Sequence, residues 1–234
     1  MKKFIIEEGF WNLFPQAQIG VLVCNHIDNS IKDGFRYESL LREAEKKATH
    51  HISSGQFSEN KCISIWRDAF KKFPTKKGSR ASIENLLKRV SKGNEIGNIN
   101  PLVDIYNSIS LNYALPCGGE DMDKFVGNLR LTHADGDESF IPLGETDNKS
   151  PKEGEIVYKD DESVICRCLN WREAERTILT EKTKNAILVI ESIDEVREDD
   201  LKKAVAELKN LVINNLGGSC STYIMNKDNK EIVI

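Results

Sequence analysis

Asn100-Pro101-Leu102-Val103-Asp104-Ile105-Tyr106-Asn107 opens a helix, and Leu115-Pro116-Cys117-Gly118-Gly119-Glu120-Asp121 follows where that helix gives way. Asparagine suits the N-cap because its side-chain oxygen accepts an amide proton that the first helical turn leaves free. Proline at the next position already has the φ a helix needs. Leu102, Ile105, Ile109 and Tyr113 recur at helical spacing, whereas Asp104, Asn107 and Ser108 share a different face. Residues 115–121 read as a turn whose paired glycines permit positive φ or the close approach of a ligand.

Strand signals dominate after this passage. Leu129, Leu131 and His133 alternate with Arg130 and Thr132. Glu155-Ile156-Val157-Tyr158 and Val164-Ile165-Cys166-Arg167-Cys168 flank a polar turn over 159–163, which predicts a hairpin. Strand alternation would put Val164, Cys166 and Cys168 on one buried face. Residues 186–190 form a further apolar strand, and a helix over 199–216 carries Leu201, Val205, Leu208 and Val212 before stopping at Gly217-Gly218. Strands around 222–225 and 232–234 close the chain. Before the opening passage, 18–24 is a short continuous apolar run suited to a buried strand, and 37–52 reads as an amphipathic helix. Ser79 or Ser82 is placed to cap a helix bearing Ile83, Leu86, Leu87 and Val90 that ends at Gly93.

Helices and strands therefore come in blocks, which predicts an α+β fold. The polar segment 144–152 is short and reads as a surface loop, so one domain is expected over 1–234. Leu102, Ile105, Leu129, Ile187, Val205 and Leu208 are its expected core.

Composition narrows the function. The chain has 234 residues, 39% hydrophobic and 30% charged, with a formal net charge of −4. That balance excludes a protein whose whole surface grips nucleic acid. No apolar run approaches the roughly 20 residues of a membrane helix. The start, Met1-Lys2-Lys3-Phe4-Ile5-Ile6-Glu7-Glu8, is too short in apolar residues for a signal peptide, so a cytoplasmic protein with no membrane contact is expected. Cysteines 24, 62, 117, 166, 168 and 220 show no C-x-x-C pair, and free thiols are expected.

The stretch from 67 to 92 is locally basic, with Arg67, Lys71, Lys72, Lys76, Lys77, Arg80, Lys88, Arg89 and Lys92 against Asp68 and Glu84. Lys76, Lys77 and Arg80 are candidate contacts to RNA phosphates; the plain alternative is a solvated helix face. No phosphate-binding glycine loop, dinucleotide fingerprint, nucleophile elbow or zinc-protease motif is present, and His50-His51 has no carboxylate at ligand spacing. Neither cofactor nor metal is expected. Asn170-Trp171-Arg172-Glu173-Ala174-Glu175-Arg176-Thr177-Ile178-Leu179-Thr180 packs an aromatic ring, two arginines, acids and hydroxyls into one loop. Such a loop suits anion binding or base stacking, or else a network of arginine–carboxylate pairs.

The order Arg80-Ala81-Ser82-Ile83-Glu84-Asn85-Leu86-Leu87, Ile99 to Asn107, then Leu115 to Asp121 resembles the editing domain of the phenylalanyl-tRNA synthetase β subunit. That module, the B3/4 domain, also occurs as a free-standing protein, and the resemblance runs from about residue 20 to residue 216. It implies a three-layer β/β/α sandwich of the editing-domain type. In the synthetase the module hydrolyses tRNA mischarged with tyrosine, so the resemblance implies an aminoacyl-tRNA or a related aminoacyl ester as ligand. A complete synthetase is not expected.

Residue by residue, Asp104 and Asn107 match the family's helix opening. Pro116 and Asp121 match its Pro-x-His-Ala-Phe-Asp turn, with the editing-pocket histidine falling on Gly118. The family's glycine-rich turn after the hairpin falls near Asn170, Trp171 and Arg172. Glu191 is the nearest by position to the acid that reads the tyrosine hydroxyl.

The resulting site has Asp121, Asn170 and Arg172 in catalysis, with backbone N–H groups of Gly118-Gly119 as oxyanion donors. Asp104, Asn107, Gly118, Gly119, Trp171, Arg176 and Thr177 contact substrate. The expected function is binding and hydrolysis of mischarged aminoacyl-tRNA in trans. Its alternatives are a non-catalytic tRNA- or RNA-binding module and a pocket protein for a free amino acid or small metabolite.

Overall fold

The run Gln18-Ile19-Gly20-Val21-Leu22-Val23-Cys24-Asn25 is apolar without alternation because the strand it forms is covered on both faces. The computed structural model describes residues 1–32, 34–53 and 55–234. Among these the order is β1 (Lys3–Ile6), α1 (Glu8–Leu13), β2 (Gln18–Asn25), α2 (Gly34–Ala48), α3 (Lys61–Ala69), α4 (Ser82–Ser91), α5 (Pro101–Tyr113) and β3 (Cys117–Asp121). There follow β4 (Leu129–His133), β5 (Ile156–Lys159), β6 (Val164–Arg167), β7 (Arg172–Glu173), β8 (Ala186–Ser192), α6 (Glu198–Leu216), β9 (Ser219–Met225) and β10 (Glu231–Val233).

The strands divide into two sheets and the chain is α+β. One sheet has the order β3-β8-β2-β9, the other β10-β1-β4-β5-β6-β7. Ile19, Val21, Val23, Ile187 and Val189 of the first sheet meet Phe4, Leu129, Leu131, Ile156 and Tyr158 of the second. On the opposite face, Leu22, Leu188 and Ile190 meet Leu102, Ile105 and Ile109 of α5 and Leu201, Leu208 and Val212 of α6. The six expected core residues all lie in these two clusters and are buried.

Helix α5 is fixed at its start by a buried amide pair. The Asn100 oxygen accepts from the Val103 amide at 3.1 Å and from Asn29 Nδ2 at 3.1 Å. Asn29 Oδ1 accepts from the Leu102 amide at 2.8 Å, and Asn100 Nδ2 donates to the Leu179 carbonyl. One asparagine thus caps the helix and ties it to two distant segments.

Three local expectations change. Residues 117–121 are a buried strand and not a turn, paired antiparallel with β8. Gly119 is needed for packing: a Cβ there would lie 2.3 Å from Leu188 Cδ2. Neither Ser79 nor Ser82 caps α4, because the helix begins at Ser82 and its N-cap is Ala81. Val164 and Cys166 do not share a face. A bulge opposite Tyr158/Lys159 adds a residue to β6, so Val164 packs with Phe140 and Val157 while Cys166 faces the space between the sheets. Lys3–Ile6, too short to stand out in the sequence, pairs parallel with β4 and antiparallel with β10.

One cluster joins Phe4 and Leu131 to Ile156 and Met225, on both sides of the 144–152 loop. Proteolytic nicking within 144–152 is therefore expected to leave one cooperative unfolding transition, read by circular dichroism. Separation of two halves that each melt cooperatively would refute a single folding unit.

Candidate functional site

Alternation along β3 sends Gly118 and Glu120 toward the six-stranded sheet. A Cβ on Gly118 would meet Asn170 Cβ at 3.4 Å, which brings the two segments of the expected site into contact. Asn170 is positioned by strained backbone: Cys168 and Leu169, both non-glycine, have φ of 47° and 62°. Such left-handed residues cost about 1–2 kcal/mol each, and the turn is held by Leu169 N–H to Ile156 and Trp171 N–H to Arg167. The Cys168 thiol donates to Glu155 Oε1, and Glu155 makes a buried bidentate pair with Arg167.

Two spaces share Asn170 and Glu173 as a common wall. The outer one is a cleft of about 470 Å³ between α4, α5 and the 170–173 segment. Ser82, Asn85 and Arg89 line it from α4, Tyr106 and Asn107 from α5, and Trp171 and Arg172 from the far side. The inner space is a cavity of about 20 Å³ between the sheets, bounded by Gly118, Glu120, Tyr158, Cys166, Asn170 and Glu173.

The inner wall is acidic. Burial pushes the Glu120 carboxyl well above the usual carboxylate range, and the nearby Glu173 charge pushes it further; the Thr177 hydroxyl opposes this. Burial alone pushes Glu173 up to about 7. Glu191 is raised by burial to about 8, although its Oε1 accepts the Tyr158 hydroxyl at 2.7 Å. The Cys166 thiol is raised by burial and by these carboxylates, which leaves it protonated and unreactive.

Several buried polar atoms in this region lack a partner: Glu120 Oε2, Asn170 Nδ2, Thr177 Oγ1, Glu191 Oε2 and Ser82 Oγ. Ser82 lines the outer cleft, Glu120 the inner cavity and Asn170 both, whereas Thr177 and Glu191 line neither.

The expected site residues separate into two groups. Asn107, Gly118, Gly119, Asn170, Trp171 and Arg172 line the cleft or the cavity, and Thr177 stands beside Glu120. Asp104, Asp121 and Arg176 line neither and are already bonded. Asp104 accepts from Asn98 Nδ2 and the Ile99 amide. Asp121 points to the helical side, where it accepts from Thr183 Oγ1 at 2.7 Å and from the Asp123 amide. Arg176 grips Asp160 at 2.7 Å and the Lys124 carbonyl.

The Gly118 amide is not a free donor either. Glu191 N–H bonds the Pro116 carbonyl, so antiparallel alternation commits Gly118 N–H to Val189 and turns Gly119 N–H to the strand's free edge. In the basic stretch, Arg67 and Arg80 both reach the buried Glu84, at 2.7 and 3.7 Å, whereas Lys76 and Lys77 are exposed. Among the described residues no group of three or more His, Cys, Asp or Glu is arranged to hold a metal ion.

Glu120, Glu173 and Tyr158 were not singled out in the sequence. Had 117–121 been read as a strand, the two-residue period from Gly118 would have turned Glu120 inward. Glu173 sits opposite Cys166 across β6 and β7, a pairing no spacing rule reveals.

A cleft bordered by Arg89 and Arg172 thus leads toward an acidic closed end within the α+β fold. Residues 65–213 match the model of the B3/4 domain, and the chain belongs to that family. It is 42% identical over 74 residues to the phenylalanine–tRNA ligase beta subunit of Mycoplasmoides gallisepticum, a match covering 31% of this chain and 9% of that protein. An N-terminal fragment of the phenylalanyl-tRNA synthetase beta-subunit from Pyrococcus horikoshii superposes with a TM-score of 0.45 at 13% identity, over 98% of this chain and 53% of the other. No helix among the described residues is long and apolar enough to cross a membrane.

The two arginines of the loop should respond differently to truncation. Arg176→Ala leaves the buried Asp160 short of a partner and is expected to cost about 1–3 kcal/mol in urea unfolding. Arg172→Ala removes a solvent-exposed pair with Glu145 and should cost below about 1 kcal/mol.

Glu173 links stability to pH. Its folded pKa lies above the unfolded value, so the unfolded chain loses its proton first and stability falls as pH rises from about 4.5 to about 7. Glu173→Gln should stabilise the protein at pH 8 by up to about 3 kcal/mol, with the gain disappearing below pH ~4.5. A gain that persists in acid would assign the effect to packing.

Proposed function

We propose that the outer cleft receives the acylated 3′ end of an aminoacyl-tRNA, or a related aminoacyl ester, and that the chain hydrolyses the ester in trans in the cytoplasm. The fold on this reading is a three-layer β/β/α sandwich of the synthetase editing type. The observation that carries the proposal is Glu173, a carboxyl raised to about 7 in the wall between cleft and cavity, next to the unpartnered amide nitrogen of Asn170.

A carboxylate with a pKa near neutrality is suited to general base catalysis at physiological pH. Glu173 takes a proton from water as the water oxygen attacks the ester carbonyl. Asn170 Nδ2 donates to the oxygen on which negative charge develops. Collapse breaks the bond to the ribose oxygen, which leaves with the proton held by Glu173, and the free amino acid departs. Arg89 and Arg172 at the rim face the terminal phosphates, and Lys76 and Lys77 extend the basic surface ahead of α4. Membership of a family whose module stands in a phenylalanine–tRNA ligase beta subunit supports this choice of ester.

Single-turnover deacylation across a panel of mischarged tRNAs tests the reading. The rate is expected to rise with pH about a midpoint near 7, and Glu173→Gln to lower it by roughly 100-fold while tRNA still binds. Replacing Lys76 and Lys77 by alanine should weaken tRNA binding and reduce its log–log salt slope by about 0.7–0.9 per contact. Binding without deacylation of any substrate would leave an RNA-binding module. Binding of neither tRNA nor ester would refute the proposal.

A further inference from the structure

Cys24 and Cys220 are partners across β2 and β9, and their sulfurs lie 3.4 Å apart. The bonds on the far side of the sheet fix what kind of pair they are. Glu191 N–H bonds the Pro116 carbonyl and Met122 N–H the Asn185 carbonyl, so odd-numbered residues of β8 bond β3 and even-numbered ones bond β2. By the same alternation, even-numbered residues of β2 bond β8 and odd-numbered ones bond β9. Cys24 and Cys220 are therefore a non-hydrogen-bonded pair, the kind whose Cα atoms stand about 4.5 Å apart with side chains closest. A disulfide accepts Cα separations of roughly 4.4–6.8 Å, so bringing these sulfurs to about 2.05 Å needs no change of register.

The two thiols differ in access. Cys24 is 0% exposed, whereas Cys220 is half-buried on β9, the edge strand of its sheet. The hydrogen bond with Cys24, and after it the Lys209 charge on α6, holds the Cys220 thiol below its usual value against the opposing effect of burial. The same contact, together with burial, pushes the Cys24 thiol up. Cys117, Cys166 and Cys168 are buried and raised by burial. Cys62 is half-buried, but burial raises it too, and its Sγ donates to the His51 carbonyl. Thiolate character and access thus coincide at Cys220, with a second thiol in reach of it. Among the described residues no third His, Cys, Asp or Glu joins the pair to make a metal-ligand group.

We infer that Cys24 and Cys220 form a reversible oxidation site, at which a hydroperoxide converts the facing thiols to a cross-strand disulfide. The Cys220 thiolate attacks a peroxide oxygen: an S–O bond forms, the O–O bond breaks, and the leaving oxygen departs as water or alcohol with the proton Cys220 released. The sulfur is oxidised by two electrons and the peroxide is reduced. Cys24 then attacks the sulfenic sulfur; the S–S bond forms, the S–O bond breaks, and hydroxide leaves as water with the Cys24 proton. A dithiol reverses the change by returning two electrons and two protons. The bond joins positions 196 residues apart and fastens β9 to β2 beside the Gly217-Gly218 turn that ends α6. Neither cysteine lines the cleft or the cavity, so the site does not depend on the aminoacyl reading.

The test treats the reduced full chain, freed of reductant, with equimolar hydrogen peroxide, alkylates the remaining thiols in denaturant and maps the peptides by mass spectrometry. A linked peptide pair holding Cys24 and Cys220, lighter than the two thiol peptides by two hydrogen atoms, should form at least about tenfold faster than Cys62 is oxidised, and should revert with dithiothreitol. In Cys24→Ser, Cys220 should stop at the sulfenic acid, trapped there by dimedone. In Cys220→Ser, Cys24 should remain a thiol. Peroxide added in urea should lose the preference for this pair, because the register that brings the sulfurs together is gone. Three results would overturn the inference: both thiols still free once Cys62 is oxidised, a main product joining other cysteines or two copies of Cys220 from different chains, or a preference that persists in urea. The wild-type maps decide the matter should either variant not fold.

Discussion

Because the four-stranded sheet is covered on both faces, polar side chains along the middle of its inner strands are withheld from water. Most of the structure answers to that constraint. Along β2, β3 and β8 the residues are apolar or small, apart from Gln18 and Asn25 at the two ends of β2, Asp121, which is bonded by Thr183, and the carboxyl groups of Glu120 and Glu191, each of which keeps an oxygen without a partner. An unpaired buried acceptor costs about 1–3 kcal/mol, and a buried charge more. Both acids face the narrow interval between the sheets, and the cleft opens onto that interval past Asn170 and Glu173. The cost of desolvation is thus concentrated at one place. The response of the carboxyls, pKa values displaced toward neutrality and beyond, gives that place its chemistry.

Neighbouring residues diverge here because of the pleat. Glu120 and Asp121 are adjacent and both acidic, yet one faces the cavity and the other is a structural acceptor on the helical side. Arg172 and Arg176 divide in the same way. The first stands at the cleft rim in an exposed pair, and the second locks the hairpin turn through Asp160. Assigning such residues by type and motif alone exchanges their roles. Helix α5 shows the opposite situation. Asn100 and Pro101 announce its start, and the buried amide pair with Asn29 then fixes Tyr106 and Asn107 at the cleft.

The legible parts of the fold were those with period and punctuation. Helices over 82–91, 101–113 and 198–216, the two-faced strand 18–25 and the hairpin at 156–167 all follow from apolar spacing and capping residues. The Gly-Gly of β3 was misleading because glycine signals a turn in sequence, whereas here it admits the Leu188 side chain. The bulge in β6 reversed the facing of Val164 because one inserted residue has no composition signature. At the site, Asn170, Trp171 and Arg172 could be found from the density of functional side chains in one loop. Glu173 could not be told from its neighbours, since its importance depends on strands that pair only through the tertiary fold.

Charge is distributed along the site from one end to the other. Two carboxyls occupy the closed end, an amide stands at the neck, and Arg89 and Arg172 border the open end, with exposed Lys76 and Lys77 preceding the same helix. A net charge of −4 is compatible with this arrangement, because the stretch 67–92 is locally basic while the acids are spread along the rest of the chain. The two ends differ because the closed end lies between the sheets, where its lining holds no cation, whereas the open end borders α4 and the protein surface.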